Sequence, residues 1–430
     1  MRKRIFYKYS FAMVSIFLIT QSILPQEFSR EEVTTLKNGI SQANTLASHP
    51  FGLLFYRLPH NFKARASSTP SIDINLSSGN IWGQPVITYI PSSQAVRREM
   101  SQLLFYERIS QFDTDAEAYD SFAFQYDGVV KDLRLAVRIP LMKHQELLIS
   151  GRSFLLTDGK FPFSFFTGDR FIEYFHSNAL GGEDPFGRKL LGLENAGISY
   201  TDRNGNEMNI SENEFVFSGI ETAYYFYPQI FSDKGISGNI GLHLGTNLSP
   251  YNSSIDLGIS VAGLKVLKFR NDKEMSFGLG VNLLRKKMVK FSETQVDLGT
   301  SNFLGSMEGH VEYAYKGKHA GFHSFGLNYR IQTPYNNKEE EAYYIPHNPE
   351  RIKRWHEASR HLYKFPSYWS LIYSFTKKVA FSIYLQQDFV VNNAPDLQTG
   401  IRMGIPVFSS ERRVAKHKEE EISSAEVARR

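Results

Sequence analysis

The sequence predicts an all-β chain: a transmembrane antiparallel up-and-down β-barrel of about 12 strands with long extracellular loops and one short loop helix. Three observations carry this. The chain opens with Arg2, Lys3, Arg4 and Lys8, followed by an apolar run from Phe11 to Ile19, the pattern of a secretory signal peptide and shorter than a membrane span. A dozen later segments alternate apolar and polar residues strictly, so each strand has one apolar and one polar face. The chain has no cysteine, which excludes a disulfide framework and a lipid-modified cysteine anchor.

Composition agrees. The net charge is +5, but residues 1–26 hold four basic and no acidic residues, so the remainder is nearly neutral. Nucleic-acid binding is therefore not indicated. The 34 Phe and 23 Tyr suit a barrel with aromatic girdles.

In order, residues 1–26 are read as the cleaved signal and 27–70 as a periplasmic or plug-like segment. Within the latter, Phe51 to Phe62 is aromatic and can be a first strand, a plug in the barrel mouth or a tethered surface segment. The barrel is expected over 71–408. Ile72, Ile74 and Leu76 begin the alternation. Leu133, Leu135, Val137 and Ile139 then oppose Asp132, Arg134 and Arg138, and Glu146 to Leu156 follows a short turn. Val216 to Tyr227 is aromatic-rich. Ile240 to Leu244, Ile255 to Val261, Phe277 to Leu283, Val311 to Tyr315 and Phe325 to Ile331 alternate in turn. Trp369 to Phe375 precedes a final hairpin running from Val379 to Phe408. If that hairpin ends in the periplasm, the connections near 140–144, 270–274, 316–320 and 376–378 are periplasmic and short, whereas 157–212, 285–306 and 333–368 are extracellular and long. That asymmetry is the one expected of such barrels. In 333–368, Asn348-Pro349-Glu350 starts a helix carrying Ile352, Trp355, Ser359 and Leu362 among basic residues. A polar tail, 409–430, completes the chain.

Three passages resemble an uncharacterised family of Gram-negative outer-membrane β-barrels, a domain-of-unknown-function family. They are Phe171-Ile-Glu-Tyr-Phe-His176 with Asp184, Gly187 and Arg188 after it, the strand pair from Val216 to Leu248, and Asn393-Ala394-Pro395-Asp396 before the last strand. The resemblance implies a barrel and an outer-membrane location, and no chemistry.

The predicted inner wall carries Arg134, Arg138, Arg152, Glu221, Asp256, Glu308, Glu312, Arg330 and Arg402. Charges of both signs in a lumen suit a selective pore or a wall of structural ion pairs. Loop 157–212, with Phe171, Glu173, His176, Asp184 and Arg188, is the expected constriction or ligand site; the alternative is a loop packed on itself. The expected function is a pore or transporter for a small solute, constricted by this loop. The rival is a non-conducting barrel that binds partners through its loops. His176-Ser177-Asn178 raises a lipid hydrolase as a minor reading, but neighbouring side chains point apart where nucleophile and base must meet. No enzyme, cofactor or metal is expected. The expected partners are outer-membrane lipid, lipopolysaccharide and the barrel assembly machinery.

Overall fold

The computed structural model describes residues 37–44, 50–90, 119–160, 164, 166–178, 192–201, 206–229, 235–291, 296–318, 321–335, 365–387 and 397–407. The helix expected over 349–362, the Asn393–Asp396 turn, the signal segment and the tail lie outside these residues.

Each alternating run forms a strand. They are β1 (Ser71–Ile90), β2 (Tyr119–Met142), β3 (Gln145–Thr157), β4 (Gly197–Thr201), β5 (Glu207–Ser211), β6 (Phe215–Phe226), β7 (Ile236–Ser249), β8 (Asn252–Phe269), β9 (Lys273–Lys290), β10 (Phe303–Lys316), β11 (Phe322–Gln332), β12 (Ser367–Thr376), β13 (Ala380–Gln387) and β14 (Leu397–Pro406). One helix, α1, spans Asp169–Asn178, and a 3-10 turn spans Pro50–Leu54. All pairings are antiparallel between neighbours. β1 closes the sheet by pairing with β14 through Ile72 and Ile405 and with β2 through Ile72 and Val137. Twelve strands make the ring; β4 and β5 form a hairpin that continues the sheet from β2, where Phe124 to Asp127 pair with Tyr200 to Gly197.

The faces are inverted relative to a water-soluble protein. Leu76, Ile259, Leu279 and Leu371 point outward and are 50–61% exposed, while Asp132, Glu221, Asp256 and Glu312 point inward and are at most 3% exposed. Burying charge and exposing leucine is stable only where lipid covers the outside, and a closed ring leaves no strand edge for lipid to meet. Among the described helices none is long and apolar enough to cross a membrane.

The ends of β2, β6, β8, β10 and β12 share one rim with the start of β1 and the end of β14, joined there by turns as short as 143–144, 270–272 and 377–379; the opposite rim carries the two-residue β7–β8 turn at 250–251 and the strand ends that border the long connections. The β8–β9 turn holds Asn271 and Asp272 at φ 63° and 52°, a left-handed geometry that Asn and Asp tolerate. In β6, Gly219 has φ 150° at a break in register with β3, and a Cβ there would lie 2.1 Å from the Thr246 carbonyl oxygen. This bulge lets Ser218 and Glu221 both face inward.

Candidate functional site

The lumen is occupied by the chain's own N-terminal segment. Residues 37–44 and 50–70 run as two antiparallel limbs. The Ile40 amide donates to the Phe62 carbonyl at 3.0 Å, Gln42 Nε2 to the His60 carbonyl at 2.7 Å, and the Arg65 amide to Asn38 Oδ1 at 3.2 Å. Limb 50–70 passes from the long-loop end to the short-turn rim, where it enters β1. From Phe51 to Phe62 every residue but Pro59 is buried. This segment contains no strand, so the first-strand alternative is corrected: its peptide groups bond to wall side chains rather than to a ladder.

Wall amides and a guanidinium supply the donors. Asn252 donates to the Leu54 carbonyl at 2.8 Å, Asn282 to Leu58 at 3.1 Å, Asn239 to Asn61 at 2.6 Å and Gln398 to Asn44 at 2.6 Å. Arg152 donates to the carbonyls of Leu53 and Phe55. Buried peptide groups need such partners, because each left unmade costs about 1–3 kcal/mol. The wall also makes room. A Cβ at Gly245 would lie 2.6 Å from Tyr56, one at Gly258 2.8 Å from Leu58, and one at Gly280 2.6 Å from His60.

The nine predicted wall charges all face inward, and they are engaged. Glu312 accepts from Lys37 Nζ at 2.8 Å and the Ser41 amide at 3.0 Å. Glu221 pairs with Arg134 and, at 3.2 Å, with Arg152 Nε. Arg138 pairs with Glu146, which also holds Lys63 at 2.5 Å and the Ser67 amide at 2.8 Å. Arg402 donates to Asp73 at 3.1 Å. Asp256 accepts from Asn247 at 2.7 Å and from the Lys287 amide at 2.8 Å. Arg330 stands 3.7 Å from Glu308, which accepts from Asn328 at 2.6 Å. Sequence parity found these residues; it did not single out Lys37, Arg57, Lys63, Tyr56 or His60, the residues by which the segment grips the wall. Tyr56 Oη is 3.0 Å from His243 Nδ1, and Arg57 is 3.4 Å from Asp132.

Loop 157–212 divides into parts with different places. Gly197–Thr201 and Glu207–Ser211 pair as β4 and β5, and their Ile198, Tyr200, Met208 and Ile210 join Phe51, Leu53, Leu54 and Phe55 in one buried apolar cluster. The Phe51 and Tyr200 rings meet edge to face at 4.8 Å, and Tyr200 Oη donates to the Asp297 carbonyl at 2.7 Å. Residues 164 and 166–178 instead lie on the outer side of the wall. Ser78, Asn80 and Lys131 share the face of Leu76 and Leu133; Thr167 Oγ1 is 2.7 Å from Ser78 Oγ, Asn80 donates to Asp169 at 2.8 Å, and Lys131 donates to Ser164 at 2.5 Å. Phe171 and Glu173 are on α1 in this outer part, so they do not narrow the lumen. His176 is in α1 but its side chain is outside the described set, as are Asp184 and Arg188. His176, Ser177 and Asn178 are successive positions of α1.

No family model matches the chain, so the family resemblance gains no support there, and no curated protein matches it. Solved structures similar to it include a bacterial polysaccharide outer-membrane secretin (8% identity, covering 79% of this chain and 99% of that one, TM-score 0.30). They also include an outer-membrane channel from Pseudomonas putida F1 (10%, 80% and 96%, TM-score 0.37) and the NanC porin (8%, 65% and 94%, TM-score 0.33). At such scores the fold rests on this chain's own strand register.

Proposed function

We propose that this protein is an outer-membrane channel for a small solute, held closed by residues 37–44 and 50–70. The observation that carries the reading is the segment's path: both limbs reach the short-turn rim, so the segment can leave the lumen on that side without opening the wall. The apolar belt supports the membrane location, and the short-turn rim is then periplasmic. The gate is the N-terminal segment with the β4–β5 hairpin above it, in place of a constriction by all of loop 157–212. The charged inner wall is the surface a solute would meet once the segment has moved.

The test uses the absence of native cysteine. Tyr56→Cys with Gly245→Cys places two thiols on segment and wall; a Gly245 Cβ would stand 2.6 Å from the Tyr56 Cβ, and a shift of about 1 Å brings the pair to the Cβ separation of about 3.5–4.5 Å that a disulfide takes. In planar bilayers the reduced double variant should give single-channel steps under applied voltage, and the oxidised one should give none. If neither form conducts, the channel reading is lost and the barrel is one that acts through its loops.

A further inference from the structure

Between the segment and the wall lies a cavity of about 100 Å³. Five guanidiniums line it: Arg57 from the segment, Arg134 and Arg138 from β2, Arg330 from β11 and Arg402 from β14. Only two carboxylates, Asp73 and Glu308, share the lining. Arg134 and Arg138 are engaged by Glu221 and Glu146, and Arg402 by Asp73. Arg57 and Arg330 are held loosely. Arg57 reaches Asp132 only at 3.4 Å, and Arg330 reaches Glu308 at 3.7 Å and the Leu58 carbonyl at 3.4 Å.

Both side chains are buried, at 6% and 7% exposure. A guanidinium has five N–H donors in a fixed fork. On Arg57, Nε and Nη1 reach no acceptor in the protein, and on Arg330 neither does Nε. Buried polar groups are normally bonded, and a buried charge is costly unless it is paired. A cavity of this size can hold several waters, but water brings no countercharge. A planar or tetrahedral oxyanion does, and it accepts from two guanidinium forks at once.

We infer that this cavity is a binding site for a small oxyanion of the phosphate, sulfate or short carboxylate kind, held between Arg57 of the segment and Arg330 of β11. The site requires the segment in place and stands whether or not the barrel conducts. Because its two principal ligands lie on opposite sides of the segment–wall boundary, an anion bound here fastens the segment in the lumen.

The experiment is titration calorimetry of the refolded full chain in detergent with inorganic phosphate, at constant ionic strength set by chloride. We expect saturable binding at one site per chain. Arg57→Gln and Arg330→Gln should each weaken it at least tenfold, and Arg65→Gln, at the exposed end of the same segment, should leave it unchanged. Sulfate and acetate titrations distinguish a tetrahedral from a carboxylate preference. Should either Gln variant fail to fold, the wild-type chain gives the answer: phosphate should raise its melting temperature where equal ionic strength of chloride does not. No saturable heat with phosphate, sulfate or acetate, binding unchanged in both Gln variants, or no differential thermal shift would overturn the inference. Phosphate binding by a barrel that never conducts would keep this site and remove the channel reading. Conduction without oxyanion binding would do the reverse.

Discussion

Glycine on the inner wall is a packing residue, and its neighbours can be tested one at a time. Gly280→Ala would place a methyl group 2.6 Å from His60 Nδ1 and 3.1 Å from its Cγ. His60 is also held by Ser306 at 3.1 Å and cannot swing away freely. Overpacking of this kind costs about 1–3 kcal/mol, so the variant should show a lower urea midpoint and faster proteolysis within residues 50–66. Gly309→Ala, where nothing lies within 4 Å, should leave both unchanged. At Glu146, one carboxylate serves Lys63, Arg138 and the Ser67 amide. Removing its charge by Glu146→Gln leaves two cations facing each other at the base of the segment. Loss of one partner of such a buried pair costs about 3–5 kcal/mol, and hydrogen exchange should quicken first over residues 63–70.

At the scale of elements, the pieces of loop 157–212 should respond independently. Tyr200→Ala removes a ring packed on Phe51 and a bond to Asp297. Truncation of a buried aromatic costs about 3–5 kcal/mol, and the exchange of amides 51–55 should rise while the ring of strands persists. Deleting 166–178 should leave conductance unaltered, since α1 lies outside the wall; altered conductance would return that part of the loop to the lumen. These elements also mark what the sequence makes legible. Strand alternation is local, so the ring and the inward parity of Arg134, Glu221 or Arg330 can be read residue by residue. The partners of those charges are not local: Arg152 meets the carbonyls of Leu53 and Phe55, and Lys37 meets Glu312 across most of the chain. Parity gives the face, never the partner. Loop 157–212 carries two local signals. Ile198 and Tyr200, with Met208 and Ile210, alternate about Asn204-Gly205, a hairpin pattern. Phe171, Ile172 and Phe175 fall at helical spacing after Asp169, an acidic first-turn residue. Within the barrel, Gly245, Gly258 and Gly280 look like neutral members of a polar face until a segment is known to lie on them.

For the molecule as a whole, burial decides how the closed state responds to salt. The pairs holding the segment are largely shielded from water, with Lys37 and Glu312 at 4% and 1% side-chain exposure. Mobile ions screen exposed charges far better than buried ones. Raising NaCl from about 0.1 M to about 1 M should therefore change neither the melting temperature nor the protease resistance of residues 50–66 appreciably. A large loss of resistance would mean that the segment is held by solvent-exposed contacts. The two-limbed course of the segment has a mechanical consequence. A force drawing Lys37 toward the short-turn rim loads the contacts in series: Lys37 and Ser41 on Glu312 first, then Asn44 on Asp132 and Gln398, and only afterwards the aromatic turn at the far end. Contacts loaded in series yield one after another at low force, as a peeled seam does, whereas the β1–β14 closure, with its register from Ser71–Pro406 to Gly79–Gln398, resists the same pull in shear.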